Sequence, residues 1–269
     1  MEPLLRGGAL LSGCRTCYLD FGSNRGGRIQ LLYAPLYGSW GQQGVYKTWF
    51  QNVSRETVCA VGFEPNPVHW PRLERIERKL RGDGRRVHIF PAAIWDNNSV
   101  ATFWSDAQAS RNFVGSSLLR WHGSMRANLT YRVPTVSLAW FLNRHVPSDS
   151  RVYSKMDIEG AEFDALPPAV PALCRSVDVL QLEVHQQLLK HAKQRYKLPI
   201  GEGWDERRRN LSRVLRDVQC RRSGWLCVKR QGQRPRARAG ENNGGPPPSA
   251  WQSTCRTDVP MLWTSDRGT

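Results

Sequence analysis

No run of about 18 apolar residues occurs in this 269-residue chain, so no segment reads as a membrane-spanning helix. No internal repeat is present, which argues against solenoids and arrays. Ser-His-Asp, Walker and His-Glu-x-x-His patterns are all missing, so serine-hydrolase, P-loop and zinc-protease chemistries have no motif to rest on. Acidic residues are few, 23 against 39 Lys and Arg, for a net charge of +16. That excess fits binding to an acidic partner, but the arginines are spread along the chain and suit solvated faces better. The densest stretch, 207–238, lacks the interleaved aromatics of a stacking platform, so nucleic acid is an alternative partner that is not favoured. The seven cysteines are odd in number and irregular in spacing, which does not read as a disulfide framework. Cys14-x-x-Cys17 finds no second pair to complete a zinc site, so no metal is expected.

What is present suits one large domain: 40% hydrophobic and 10% aromatic residues can fill a core, and a disordered chain does not fit. Met1 to Leu11 is too short and too weakly apolar for a signal peptide, which makes the cytoplasm the default compartment. Four Asn-x-Ser/Thr sequons, at Asn52, Asn97, Asn128 and Asn210, point instead toward a secretory route.

Strand and helix signals alternate, the pattern of an α/β fold with a mainly parallel sheet. The first strand ends in Tyr18-Leu-Asp-Phe-Gly-Ser-Asn-Arg-Gly26, with Asp20, Gly22 and Gly26 spaced D-x-G-x-x-x-G. Glycines at those places allow close backbone approach, and the following helix aims free N–H groups at a ligand. Val58-Cys-Ala-Val-Gly-Phe-Glu64 is an apolar strand closing on a carboxylate, where ribose hydroxyls are bound in doubly wound folds. The gap from the glycine turn is about twice the usual 20 residues, so an insertion is placed at 34–57. Further strands are expected at Val87–Ala93, Val152–Asp157, Val177–Glu183 and Trp225–Lys229. A last strand is expected at Val259–Thr264, and a β excursion around Ala101–Trp104 and Tyr131–Leu138. Helices are expected at His69–Leu80 and Asp205–Arg222, with a proline-broken helical segment at Asp164–Cys174. Residues 1–15 read as an extension to a single domain, 16–269, and 231–250 as a flexible Arg-, Gly- and Pro-rich loop.

Lys155-Met-Asp-Ile-Glu-Gly-Ala-Glu-Phe-Asp164 packs four carboxylates at a strand end, where ligands of open α/β sheets bind. Asp157 should face that crevice, Glu159 should lie in the turn, and Glu162 should open a helix as a dipole partner or surface charge. Leu182-Glu-Val-His185 brings Glu183 and a candidate general base, His185, to the same edge.

Together these blocks, with Gly62-Phe-Glu-Pro-Asn-Pro67 and Pro91-Ala-Ala-Ile-Trp-Asp96, resemble the FkbM-type S-adenosylmethionine-dependent methyltransferases. The resemblance spans roughly residues 17–230. It implies a Rossmann-like class I methyltransferase fold: a mostly parallel seven-stranded sheet with an antiparallel last strand and helices on both faces. It further implies that Asp20, Gly22, Asn24 and Gly26 cradle the methionine end of S-adenosylmethionine. Glu64, with Asn66 nearby, would bind the ribose, and Ala93 would line the adenine. The implied reaction is O-methylation of a small-molecule or glycan hydroxyl, with Asp157 and His185 as catalytic candidates and Glu159 and Glu183 toward the substrate. An RNA methyltransferase and a non-catalytic binding protein of the same fold are the alternatives. The methyl acceptor and the oligomeric state are not legible.

Overall fold

Six short apolar segments line up side by side in the computed structural model, which describes residues 8–33, 50, 53–106, 113, 115–119, 125–185, 205–206, 209–211, 213 and 225–230. They are β1 (Thr16–Phe21), β2 (Cys59–Phe63), β3 (Val87–Phe90), β7 (Arg151–Met156), β8 (Val179–Val184) and β9 (Trp225–Arg230), in the order β3-β2-β1-β7-β8-β9. Every neighbouring pair in this sheet is parallel. β1 and β2 are buried at every residue, as strands covered on both faces must be. The strand order reverses between β1 and β7, and at such a switch point the carboxyl ends splay to leave a crevice.

Helices α1 (Gly27–Tyr33), α2 (Trp70–Gly82), α3 (Leu138–His145) and α4 (Glu162–Ser176) cover the sheet. On one face Ile29, Leu32, Leu73 and Ile76 pack with Tyr18, Ala60 and Tyr153. On the other, Phe141, Leu142, Phe163 and Leu166 pack with Phe21, Phe63 and Met156. Phe63 stands at the centre of that second core, edge-on to Phe141 at 5.0 Å and tilted on Phe21 and Phe90.

The β excursion is a second sheet of β4 (Ala93–Trp95), β6 (Met125–Ser137) and β5 (Ser99–Asp106), with β5 and β6 antiparallel. Between β5 and β6, Phe113, Ser116 and Leu118 reach the crevice.

Three expectations change. The segment expected to be broken by prolines is one continuous helix, α4, despite Pro167, Pro168 and Pro171. An interior proline costs about 3 kcal/mol, but burial of Phe163, Leu166, Ala169, Ala172 and Leu173 along one stripe outweighs local propensity. The cysteines do form disulfides: Cys14 is bonded to Cys59 across 45 residues, and Cys174 is also disulfide-bonded. Parallel pairing sets Cys17 opposite Cys59 and brings Cys14 alongside, a juxtaposition that spacing alone does not encode. A crosslink of this kind contributes about 2–4 kcal/mol. Cys14 is therefore no zinc ligand, and Cys17 remains a buried free thiol. Residues 10–14, read as an extension, lie on the domain: Leu11 is buried in the core and its N–H donates to the His145 carbonyl. The strand expected at 259–264, the loop 231–250 and most of 34–57 lie outside the described residues.

Candidate functional site

Three strand ends meet at the switch point and enclose a cavity of about 400 Å³. The turn after β1 forms its floor. Gly22 has φ +82° and packs so closely on β7 that a Cβ there would sit 2.0 Å from the Asp157 carbonyl oxygen. Gly26 also has positive φ, but its neighbours are Leu73 and Ile76 of α2, so it serves helix packing and does not line the cavity. Asn24 takes a left-handed conformation, φ 49°, which asparagine tolerates.

That twist points the Asn24 N–H at Glu64, whose Oε2 accepts it at 2.6 Å. Glu64 Oε1 accepts the Asn66 N–H at 2.9 Å. The carboxylate at the end of β2 is thus fixed by both flanking turns and lines the cavity. Burial pushes its pKa up to about 7, against the two N–H groups that favour the ionised form. Asn66 caps a 3-10 turn, accepting from Val68 N, and donates to Ser116 Oγ at 3.3 Å. It thereby ties the excursion to the crevice. Ala93, Phe103, Phe113 and Leu118 supply the apolar wall.

Asp20 does not line the cavity. It is fully buried beneath it, and neither carboxylate oxygen has a hydrogen-bond partner among the described residues. Ser23 Oγ donates to the Asp20 backbone carbonyl, not to the carboxylate. Burial raises the Asp20 carboxyl, opposed chiefly by Lys155. Lys155 Nζ is the buried cation of the site: 2.8 Å from the Gly22 carbonyl to which it donates, 3.8 Å from Asp20 and 3.4 Å from Asp157.

The acidic block of the β7–α4 turn folds inward. Glu159 has φ 54° and Gly160 φ 99°. The Glu159 carbonyl accepts from Ser117 Oγ at 2.6 Å, a second tie to the excursion. A non-glycine residue held at positive φ costs on the order of 1 kcal/mol and marks a turn over-determined by its surroundings. The reversal sends Glu162 into the interior, where it is fully buried. It accepts from Gly160 N at 2.8 Å and from His185 N at 2.9 Å, and its Oε1 lies 3.0 Å from His185 Nδ1. Glu162 is thus neither a surface charge nor a simple dipole partner.

His185, buried at the end of β8, turns its other nitrogen toward the cavity wall. Nε2 makes no hydrogen bond among the described residues and lies 3.6 Å from Asp157 Oδ1 and 3.4 Å from Glu159 Oε2. Burial disfavours the imidazolium, but Glu162 and Glu159 outweigh it and raise the His185 pKa well above the ordinary value. Burial likewise acts to raise Asp157, but Lys155 and His185 hold it below the usual carboxylate range. Glu159 is pushed up to about 7 by burial. Asp157 and Glu159 line the cavity. Glu183 does not, though it flanks His185 on β8.

The geometry therefore brings together Gly22, Asn24, Glu64, Asn66, Ala93, Asp157, Glu159 and His185. It sets Asp20 below them, and Gly26 and Glu183 to the side. Sequence reasoning misses Lys155 and Glu162. A lysine inside the apolar run Val152-Tyr-Ser-Lys-Met156 was the available signal for the first, since a buried ammonium must be paired. Most of the basic stretch 207–238 lies outside the described residues. No helix among the described residues is long and apolar enough to cross a membrane.

The family model for the methyltransferase FkbM domain matches residues 24–209. No curated protein matches the chain. A solved structure, methyltransferase FkbM from Methylobacillus flagellatus KT, is similar at 15% identity with a TM-score of 0.33. The similarity covers 64% of this chain and 34% of that one, so the match spans about a third of the solved protein.

Proposed function

The chain belongs to the FkbM methyltransferase family, and from that premise we propose that it moves a methyl group from S-adenosylmethionine to a hydroxyl oxygen of a small molecule or glycan. One observation carries the reading: a single cavity is lined by the pinned Glu64 carboxylate and by Asp157 and Glu159, which His185 contacts. The residues fit the cofactor. Gly22 lines the cavity with bare backbone, and Glu64 offers acceptor lone pairs to a ribose diol. Asn24 and Gly22 belong with the methionine end, and Ala93 with the adenine. Bound there, S-adenosylmethionine supplies a methyl carbon made electrophilic by its sulfonium. The protein then needs to position an acceptor oxygen in line and take its proton. Asp157, held ionised, is the residue to receive that proton, and His185, kept as an imidazolium by Glu162 and Glu159, is the residue to orient it, with Glu159 toward the acceptor. A seventh, antiparallel strand from 259–264 completes the sheet in this reading.

The test is calorimetric titration of S-adenosylmethionine into the wild type, Asp20→Ala and Glu64→Ala. Micromolar binding lost in Glu64→Ala is expected. A folded wild type that binds none would leave a non-catalytic fold. Ribose hydroxyls donate to the ionised carboxylate, so affinity should fall as pH drops through about 7, by at most about tenfold per unit. Glu64→Gln should lose that slope, and a slope unchanged in the variant would remove Glu64 from the ribose site.

The compartment we propose is an oxidising one. Disulfides persist there, and the sequon residue Asn97 is exposed in the turn between β4 and β5. Chain expressed through a secretory route should gain mass that peptide-N-glycosidase removes. An unglycosylated product with all cysteines reduced would refute the assignment.

A further inference from the structure

We propose that Asp157, Glu159 and His185 form a divalent-cation site, of manganese or zinc type, that opens onto the cavity. Its role in the reaction rests on the methyltransferase reading above. Its existence does not.

The donor atoms are already gathered: one oxygen from each carboxylate and one imidazole nitrogen lie within 4.8 Å of one another. His185 Nε2 is 3.6 Å from Asp157 Oδ1 and 3.4 Å from Glu159 Oε2. Donors at about 2.1 Å from a shared ion stand about 3.0 Å apart in cis-octahedral geometry and about 3.4 Å apart in tetrahedral geometry. The two imidazole–carboxylate separations therefore need shifts of only a few tenths of an ångström, and the two carboxylates, within 4.8 Å of each other, must draw together around the ion. A cluster of acids would not by itself make a site, but here a buried imidazole nitrogen that makes no hydrogen bond among the described residues is aimed at both carboxylates.

The surrounding groups match a metal site as well. Ligand histidines usually give their other ring N–H to a carboxylate, which fixes tautomer and ring orientation. Glu162 stands in that position at 3.0 Å from Nδ1, itself held by two backbone N–H groups. Asp157 divides its carboxylate, Oδ2 toward Lys155 and Oδ1 toward His185, which leaves Oδ1 for an ion. Four carboxylates share the neighbourhood: Asp20 and Asp157 face Lys155, and Glu159 and Glu162 face His185. An imidazole with two carboxylates suits manganese or zinc better than calcium, which takes six to eight oxygens.

Three protein donors leave open positions, and Asp157 and Glu159 face the cavity. An acceptor hydroxyl bound at such a position would lose its proton more readily, the proton leaving to solvent water. The acceptor oxygen then forms its bond to the methyl carbon as the sulfur–methyl bond breaks, and the electron pair of that bond stays on sulfur as a neutral thioether.

The experiment titrates Mn²⁺ into the purified full chain without S-adenosylmethionine, reading free Mn²⁺ by electron paramagnetic resonance. Saturable binding of a single ion is expected. Glu159→Gln should weaken it at least about tenfold. Glu162→Gln, which touches no ion, should weaken it about 10–100-fold. Asp83→Asn, an exposed acid remote from the site, should leave it unchanged. If His185→Ala does not fold, Glu159→Gln on the partly exposed turn still decides the matter. No saturable binding to a chain that is folded by circular dichroism overturns the site, as does an affinity indifferent to Glu159→Gln. Parallel calorimetry of S-adenosylmethionine in chelator separates the two readings. Cofactor binding without Mn²⁺ binding removes the cation site and leaves the methyltransferase. Mn²⁺ binding without cofactor binding supports the site and removes its catalytic role.

Discussion

Lys155→Met should destabilise the domain by about 3–5 kcal/mol in urea unfolding, the usual result of removing one partner from a buried ion pair. Lys155 forms the ion pair with Asp20, whose carboxylate oxygens accept no hydrogen bond among the described residues, and it also holds the Gly22 carbonyl. Methionine keeps most of the side-chain volume, so the loss measures charge and hydrogen bonding more than packing. Asp20→Asn in the same background should restore part of it, because the uncompensated charge is then gone. A double-mutant cycle should give a coupling of about 1–3 kcal/mol, whereas additivity within about 0.5 kcal/mol would show that Lys155 does not hold Asp20. The pH dependence has a definite sign. Burial has raised the Asp20 carboxyl, so the folded state binds the proton more tightly than the unfolded chain. The stability this contributes is full below the unfolded pKa and is lost as pH rises through the folded one. Removing Lys155 raises that folded pKa further, so the variant's deficit should shrink on acidification.

The same residues show what a sequence does and does not carry. Asp20, Gly22, Glu64 and Asp157 are readable because each interrupts an apolar strand at the end where an open α/β sheet gathers ligands. Alternation of strand and helix signals gives the α/β class, and the β5–β6 hairpin shows in its flanking residues. What stays hidden depends on pairing or on direction. Cys14 meets Cys59 only because β1 and β2 are parallel neighbours in one register. Glu162 reads as a helix-start charge because nothing local says that Glu159 will adopt positive φ and turn the next carboxylate inward. Its partner His185 is 23 residues away on another strand. The prolines of α4 mislead for a related reason: local propensity opposes a helix whose buried stripe is decided by the sheet beneath it. Asp20 is placed correctly in its motif and yet lies under the site, a distinction of a few ångströms that a linear pattern cannot make.

Gly22→Ala should abolish S-adenosylmethionine binding and cost about 4 kcal/mol or more, and a series of three glycines separates the causes. Gly84 has φ +79° with nothing within 4 Å of a new Cβ, so Gly84→Ala reports backbone strain alone, about 1–2 kcal/mol. Gly26 has φ +74°, and its Cβ would meet Ile76 Cδ1 and Leu73 Cδ2 at 2.9 Å. Those are ends of side chains that can shift, so Gly26→Ala adds an overpacking cost of about 1–3 kcal/mol to the strain. At Gly22 the obstacle is backbone: the Asp157 carbonyl oxygen at 2.0 Å and its carbon at 3.0 Å. That carbonyl cannot withdraw unless β7 moves from β1, to which Asp157 N is tied through the Phe21 carbonyl, while Gly22 N is held on the other side by the Phe63 carbonyl of β2. Strain and separation of the central strands act together, and the separation also opens the cavity floor between Glu64 and Asp157. Urea midpoints in the order Gly84→Ala, Gly26→Ala, Gly22→Ala, from mildest to most severe, are the expected result. A Gly22→Ala chain as stable as Gly84→Ala, and still binding the cofactor, would mean that the close approach of β1 and β7 is not what shapes the site.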